Sequence, residues 1–305
     1  MKWSHIALMM SLTTALVAGA SAQQKERATL IREGSLVSGP DGGSTQIAPL
    51  PRGSDLTVTE RTGPPDSQWF KVTVAGSQGQ PAREGWVQSP ALINASAQNA
   101  EEIVYGEAVD SEHEAEKSNG RRSAANDAAR LYRWTAETFT GTPLAGEALW
   151  RTADIDWQIA RARGRTPIDE SGMKEVIAKY PNTKWSDLAA YEMIENQLCA
   201  DRTAQAACAE KNAAIYEQYA RQHPQAAKAP EAMFNAAQQA GLLADIYRVR
   251  ADKDRSAAAR KKALALAQEL ADGNTTEWKT RGVDLQYKLQ QNIPLYGLEQ
   301  EQTEQ

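Results

Sequence analysis

The chain has 305 residues, 41% of them hydrophobic and 24% charged, and carries a net charge of −5 at pH 7. This composition belongs to an ordinary folded protein rather than a disordered one, and the length suggests more than one domain. A net negative surface does not suit general binding to a phosphate backbone, so no nucleic-acid partner is expected.

At the start, Lys2 supplies a sparse positive charge, and Ile6 to Val17 form an apolar stretch broken only by Ser and Thr. Ala20-Ser21-Ala22 fits a small-residue cleavage site. Residues 1–22 therefore read as a secretory leader, cut between Ala22 and Gln23. The stretch is too short to span ~30 Å of hydrocarbon as a helix, and no later run approaches ~18 consecutive apolar residues. A lipid anchor would need a cysteine at the cleavage site, and both cysteines, Cys199 and Cys208, lie far downstream. The mature chain is expected in a periplasm or outside the cell, with no transmembrane segment. In that oxidising setting Cys199 and Cys208 are expected to form a disulfide. A loop this short, closed covalently, stabilises by about 2.5–3 kcal/mol in the chain-entropy model.

Residues 23–27 form a short N-terminal segment, and residues 28–93 read as a small all-β unit rich in Gly, Pro, Val and Thr. Strands are predicted over Thr29–Val37, Thr45–Leu50, Asp55–Glu60, Trp69–Val74 and Glu84–Gln88. Leu56 and Val58 alternate with polar neighbours, as do Phe70, Val72 and Val74, which gives each strand one buried face. Gly39-Pro40-Asp41-Gly42-Gly43, Pro51-Arg52-Gly53 and Gly63-Pro64-Pro65-Asp66 supply turns. The unit reads as a small curled barrel.

Residues 94–123 read as an acidic linker. Glu101, Glu102, Glu107, Asp110, Glu112, Glu114 and Glu116 stand there against Lys117, the pattern of a solvated spacer or a frayed helix. Residues 124–296 turn Ala-rich and helical. Trp150, Ala153, Trp157 and Ala160 share one helical face, as do Met233, Ala236, Ala240, Leu243 and Tyr247, and later Ala263, Leu266 and Leu270. Pro143, Pro167, Pro181, Pro224, Gly241 and Gly273-Asn274 punctuate seven to nine expected helices. Trp150, Tyr191 and Phe234 recur at offsets of 41 and 43, and Phe139-Thr140, Tyr180-Pro181 and His223-Pro224 recur at the same offsets. A period near forty marks stacked helical hairpins whose neighbours bury each other's apolar faces. Residues 297–305 are expected to be a loose polar tail.

The ordered series Pro51-Arg52-Gly53, Leu56-Thr57-Val58, Trp69-Phe70-Lys71-Val72, Gly85-Trp86-Val87 and Leu92 resembles the bacterial SH3 domain. The family's early V-N-V-R-x-G-P-S run is replaced here by Ser35-Leu36-Val37-Ser38-Gly39-Pro40. The helical part resembles the tetratricopeptide-like arrays of bacterial envelope proteins, without their W-x2-L-G-x2-Y pattern. Together these resemblances imply a multidomain α+β protein, with a small SH3-like β-barrel followed by an all-α array of helical hairpins.

The residues for catalysis are sparse. No G-x-x-x-x-G-K-[ST], G-x-G-x-x-G or G-x-S-x-G motif occurs, so no cofactor is expected. His113-Glu114-Ala115-Glu116-Lys117 has Lys where a zinc helix needs its second His, so no metal site is expected. His223 before Pro224 reads as a helix-boundary residue. A glycosidase needs only two carboxylates, and Glu147, Asp154, Asp156 and Glu195 are the acids that could converge. Trp69, Phe70 and Trp86 are candidate binding residues, since an exposed ring offers a stacking face, although the rings could instead fill the barrel core, and for Trp86, between Gly85 and Val87, core packing is the favoured expectation. Trp150, Trp157, Tyr191 and Phe234 sit where hairpins pack.

The sequence reading is a noncatalytic exported adaptor of the bacterial cell envelope. Its SH3-like part would contact peptidoglycan or a peptide, and its helical repeats a protein partner. A cell-wall glycan hydrolase using an acidic pair in the helices is the enzyme alternative, and a purely structural spacer is the third.

Overall fold

The computed structural model describes residues 25–76, 81–88, 90–199 and 205–295. The expected leader at 1–22, its cleavage point at Ala22 and Gln23, and the tail at 297–305 lie outside the described residues.

Seven strands come first: β1 (Glu26–Leu30), β2 (Gly34–Val37), β3 (Gln46–Leu50), β4 (Asp55–Thr62), β5 (Trp69–Val74), β6 (Arg83–Gln88) and β7 (Leu92–Asn94). They form one antiparallel sheet in the order β3-β2-β6-β5-β4-β1-β7, so β3 and β7 are its edges. Leu56 and Val58 of β4, Phe70 and Val72 of β5 and Val87 of β6 alternate onto one face. There they join Leu36, Ala48 and Leu50 from one end of the sheet with Ala28, Leu30 and Leu92 from the other. Side chains from both ends meet in one cluster because the sheet curls over its apolar face. Gly85 makes this possible: a Cβ there would lie 2.7 Å from the Val37 carbonyl oxygen and 2.8 Å from Leu36 Cγ.

The strand expected over Thr29–Val37 is two strands. Between them Ile31 leaves the sheet core and packs against the helices, while Arg32 and Glu33 pair with Glu107 and Arg121.

Nine α-helices follow among the described residues: α1 (Ala100–Ala115), α2 (Ala124–Thr138), α3 (Pro143–Ala162), α4 (Ser171–Lys179), α5 (Lys184–Glu192), α6 (Ala206–Gln222), α7 (Ala229–Val249), α8 (Lys253–Ala271) and α9 (Thr276–Gln290). Of the two expectations for the acidic stretch, a solvated spacer or a frayed helix, the structure has a helix there, α1. Ala100, Val104, Ala108 and Ser111 recur at helical spacing and are buried, whereas the acids occupy the remaining faces. The buried stripe is made of small residues, which leaves little apolar signal beside so many carboxylates.

From α1 to α5 and again from α6 to α9, each helix packs on the next in sequence, and the 3-10 turn Met193–Gln197 touches both α5 and α6. The repeat is visible in backbone detail. Phe139, Tyr180 and His223 end α2, α4 and α6 with φ/ψ of −110/43, −129/56 and −123/56. Two residues on, Gly141 and Asn182 adopt φ of 93° and 60°. Thr142 and Thr183 then cap the next helix by accepting from the amides of Ala145 and Ser186. The repeated rings tie neighbouring helices together: Trp150 stacks on Trp185 at 5.4 Å, Tyr191 meets Tyr219 edge-on at 5.2 Å, and Phe234 lies 5.7 Å from Trp278.

The sheet docks onto α1 and α2. Ile31, Ile93 and Ala95 pack against the helical core. Gly53, at φ +74°, approaches α2 so closely that a Cβ would lie 2.5 Å from Arg130 Cβ and 2.8 Å from the Leu131 nitrogen. Arg130 Nε donates to the Arg52 carbonyl at 2.8 Å, and Arg27 bridges Asp55 and Glu137, both at 2.8 Å. Beneath this seam Asp127, 1% exposed, accepts from Arg121, Arg130 and Ser123.

Candidate functional site

The register of β5 and β6 sorts the three candidate aromatic residues. Lys71 faces Trp86, Trp69 faces Gln88 and Phe70 faces Val87. Trp69 and Trp86 are therefore diagonal neighbours on the face opposite the sheet core, within reach of one ligand. Both are partly buried, and neither ring stacks on another aromatic side chain among the described residues. Val37 pairs with Trp86 from β2 and Thr62 with Trp69 from β4, so the platform spans four strands. Phe70 lies on the other face: it is 9% exposed, belongs to the sheet core, and has the Arg61 guanidinium 5.9 Å from its ring centroid. Trp86 does not fill that core, because Gly85 and Val87 on either side of it take the inward positions.

A second constellation lies along α3. Glu147, Arg151, Asp154, Gln158 and Arg161 follow helical spacing and share one face. Glu147 lies beside Tyr105, whose pKa is pushed up to about 12, first by burial and then by that carboxylate. Asp154 accepts from Gln158 Nε2 at 3.3 Å and makes no ion pair among the described residues, and burial raises its pKa. Glu192, at the end of α5, is also raised, first by burial and then by repulsion from Asp154. Arg161 reaches Glu192 at 3.5 Å and gives Glu195 a bond from Nε at 2.9 Å, while Trp157 Nε1 donates to Glu195 at 3.1 Å. Beside them is a cavity of about 270 Å³ lined by Tyr191, Glu192, Ile194, Leu198 and Tyr216.

Of the four acids singled out from the sequence, Asp154 and Glu195 come to this place. Glu147 stays beside Tyr105 higher along α3, and Asp156 points from the other side of the helix toward Arg133. Glu192 was missed. Its signal was available, since Glu192 and Glu195 flank the end of the same predicted hairpin, but only packing brings α5 against α3. Two carboxyls with raised pKa beside an arginine-held carboxylate can in principle donate and accept protons.

Cys199 and Cys208 sit at disulfide distance, with a Cα separation of 5.6 Å, between the 3-10 turn and the first turn of α6. Cys199 is fixed further by its amide, which donates to buried Asn212 at 3.0 Å. His113 is exposed near the end of α1. His223 bonds through Nδ1 to Asp187 at 2.9 Å and stacks on Tyr219 at 4.8 Å, which is a helix-end role. Among the described residues no group of three or more His, Cys, Asp or Glu could hold a metal ion, and no helix is long and apolar enough to cross a membrane.

The fold and these sites define a class rather than a named activity: an antiparallel sheet joined to helical hairpins, with an aromatic platform on the first and an acidic groove in the second. No protein-family model matches the chain, and no curated protein matches it. Among solved structures, a chain of the DHF79 filament is similar at 18% identity, covering 61% of this chain and 96% of that one, with a TM-score of 0.25. That likeness carries no argument about fold or function.

Proposed function

We propose that this protein is an exported, noncatalytic binding protein of the bacterial cell envelope. Its sheet unit acts as an SH3-like module that contacts peptidoglycan or a wall peptide, and its tetratricopeptide-like hairpins dock a protein partner. The observation that carries this reading is the pair Trp69 and Trp86, held side by side on the solvent face of a sheet whose core is filled without them. A rigid aromatic face binds sugar or peptide at little cost in side-chain entropy. The adjacency of β1 and β7, with β4, β5 and β6 following in series, supports the resemblance of the module. Repeated hairpin turns support an extended partner surface, and a groove of about 580 Å³ runs over Ala213, Ala240, Leu243, Tyr247 and Ala259, rimmed by Arg255 and Lys262.

Retention of the purified protein on isolated sacculi tests this reading, with cross-linking in envelope extract as the parallel arm. The W69A/W86A variant is expected to lose most of its retention while keeping its helical cross-links. A wild-type protein that ignores sacculi and captures no envelope protein contradicts it.

The raised carboxyls of Asp154 and Glu192 favour one alternative, glycan hydrolysis in the groove beside Tyr191 and Tyr216. That reading requires release of muropeptides by purified protein and its loss in E192Q. Absence of release over long incubation removes it.

A further inference from the structure

The repeat of the helical part changes at one junction. Where α4 turns into α5, the Tyr180 ring lies on Gly146 of α3, so close that a Cβ there would be 3.2 Å from it. One repeat on, His223 ends α6 and bonds through Nδ1 to Asp187 of α5 at 2.9 Å. Gly146, Asp187 and Pro230 stand at the same offsets of 41 and 43 as Trp150, Tyr191 and Phe234. At the third junction Pro230 of α7 therefore takes the place of Gly146 and Asp187, but α8 ends on Asp272 rather than on a ring. Asp272 keeps helical φ/ψ of −83/−8, is exposed, and accepts from Gln268 of its own helix at 2.9 Å.

A cavity of about 270 Å³ opens at this junction, between α6, α7, α8 and α9. Its reachable walls are Pro224, Pro230, Met233 and Trp278, all exposed or partly exposed. The volume lies just under the ~300–1,000 Å³ of small-molecule sites, which suits one side chain better than a whole cofactor. Arg221 and Glu269, the two charged residues of its lining, pair with each other through bonds of 2.6 and 2.8 Å, so the site favours neither sign of charge. The indole of Trp278 is held from behind by Phe234, 5.7 Å away, and by the Arg281 guanidinium, 4.8 Å from its centroid.

We propose that this cavity takes an aromatic side chain of a partner polypeptide, which completes the third junction as Tyr180 and His223 complete the first two within the chain. The proposal rests on the reading of the hairpins as a partner-docking array and names the chemistry of one contact. A ring gains more here than an aliphatic chain does, because the Trp278 indole and the Met233 thioether both make directional contacts with aromatic groups. Asn274 and Thr275, exposed at the rim, offer polar groups to the backbone that carries the ring.

The isotope-labelled full chain is titrated by NMR with acetylated, amidated Ala-X-Ala tripeptides in which X is Phe, Tyr or Leu. Saturating shifts are expected in the turn from Gly273 to Thr276 and at the Trp278 indole, with the Phe or Tyr peptide binding at least about threefold tighter than the Leu peptide. T275W sets a ring of the chain's own at the mouth of the cavity and should abolish saturation by the aromatic peptides. Thr275 is exposed and its side chain makes no capping bond, so this variant is expected to keep the wild-type melting temperature. W278L should erase the preference for a ring over leucine. Absence of saturating shifts, equal affinity for all three peptides, or aromatic binding that survives both variants would each overturn the assignment. Tyr287, 58% exposed on α9, is a ring that a second copy could supply. Self-association in sedimentation that both Y287A and T275W abolish would give the seat to a second copy and overturn the partner assignment. If envelope cross-linking captures a partner while these peptides fail to bind, the seat falls and the array reading stands; peptide binding without any cross-linked partner upholds the seat and counts against that reading.

Discussion

Asp154 shows how burial alters a single side chain. Its carboxyl is raised above its ordinary value, because burial outweighs the hydrogen bond from Gln158 and the charges of Arg151 and Arg161. A carboxyl raised in the folded state contributes stability that is complete below its unfolded pKa and is lost as pH rises through its folded value. D154N removes that dependence. Its melting temperature relative to the wild type should therefore rise between pH 4 and pH 7, in the thermal melts that check it; a difference that stays constant or falls contradicts the shift. At the same scale, Trp86 was expected in the core, and the structure instead gives the inward positions to Gly85 and Val87 on either side of it. Period-2 alternation carries this, since it puts Val87 and Gly85 on one face and Trp86 on the other. What the alternation could not say is which face is buried. That depends on Gly85 letting β2 approach β6.

Among the elements, the repeated turn was the clearest message in the sequence, because Phe139, Tyr180 and His223 all end a helix in nearly the same backbone conformation. Thr142 and Thr183 complete it as caps. T142A and T183A should each cost about 1 kcal/mol in denaturant unfolding. An unchanged midpoint would show that these caps are redundant. The expected Cys199–Cys208 bond closes a short loop between the 3-10 turn and α6, so C199S/C208S should lose about 2.5 kcal/mol. If a reducing agent lowers the wild-type midpoint by a matching amount, the bond is present in solution; no effect of either change would count against it. Helix α1 was legible only as one of two readings, since its buried face is Ala, Val and Ser set among glutamates. The short strand β7 escaped for a related reason: three residues give no periodicity to read.

At the scale of the molecule, sheet and helices meet at a fitted seam rather than across a free linker. Gly53 touches the backbone of α2, and Arg27, Arg121 and Arg130 reach across or beneath that contact. No pattern in either half announces the seam, because its residues are far apart in sequence. G53A should force a Cβ into Arg130 and Leu131 at a left-handed backbone position and destabilise by more than about 1 kcal/mol. Loss of protection in both the β1–β4 amides and α2, measured by hydrogen exchange, would show that the two halves are coupled; loss confined to the Pro51–Ser54 turn would show that they are not.

The outward tryptophans of the sheet, Trp69 and Trp86, are the proposed ligand face. Its most direct test is a titration of the wild type and W69A/W86A with soluble muropeptides, followed by heteronuclear NMR of the backbone amides. Shifts centred on β5 and β6 that saturate in the wild type and vanish in the variant are the predicted result. Saturating shifts that persist without the two rings, or none on this face at any concentration, would contradict it.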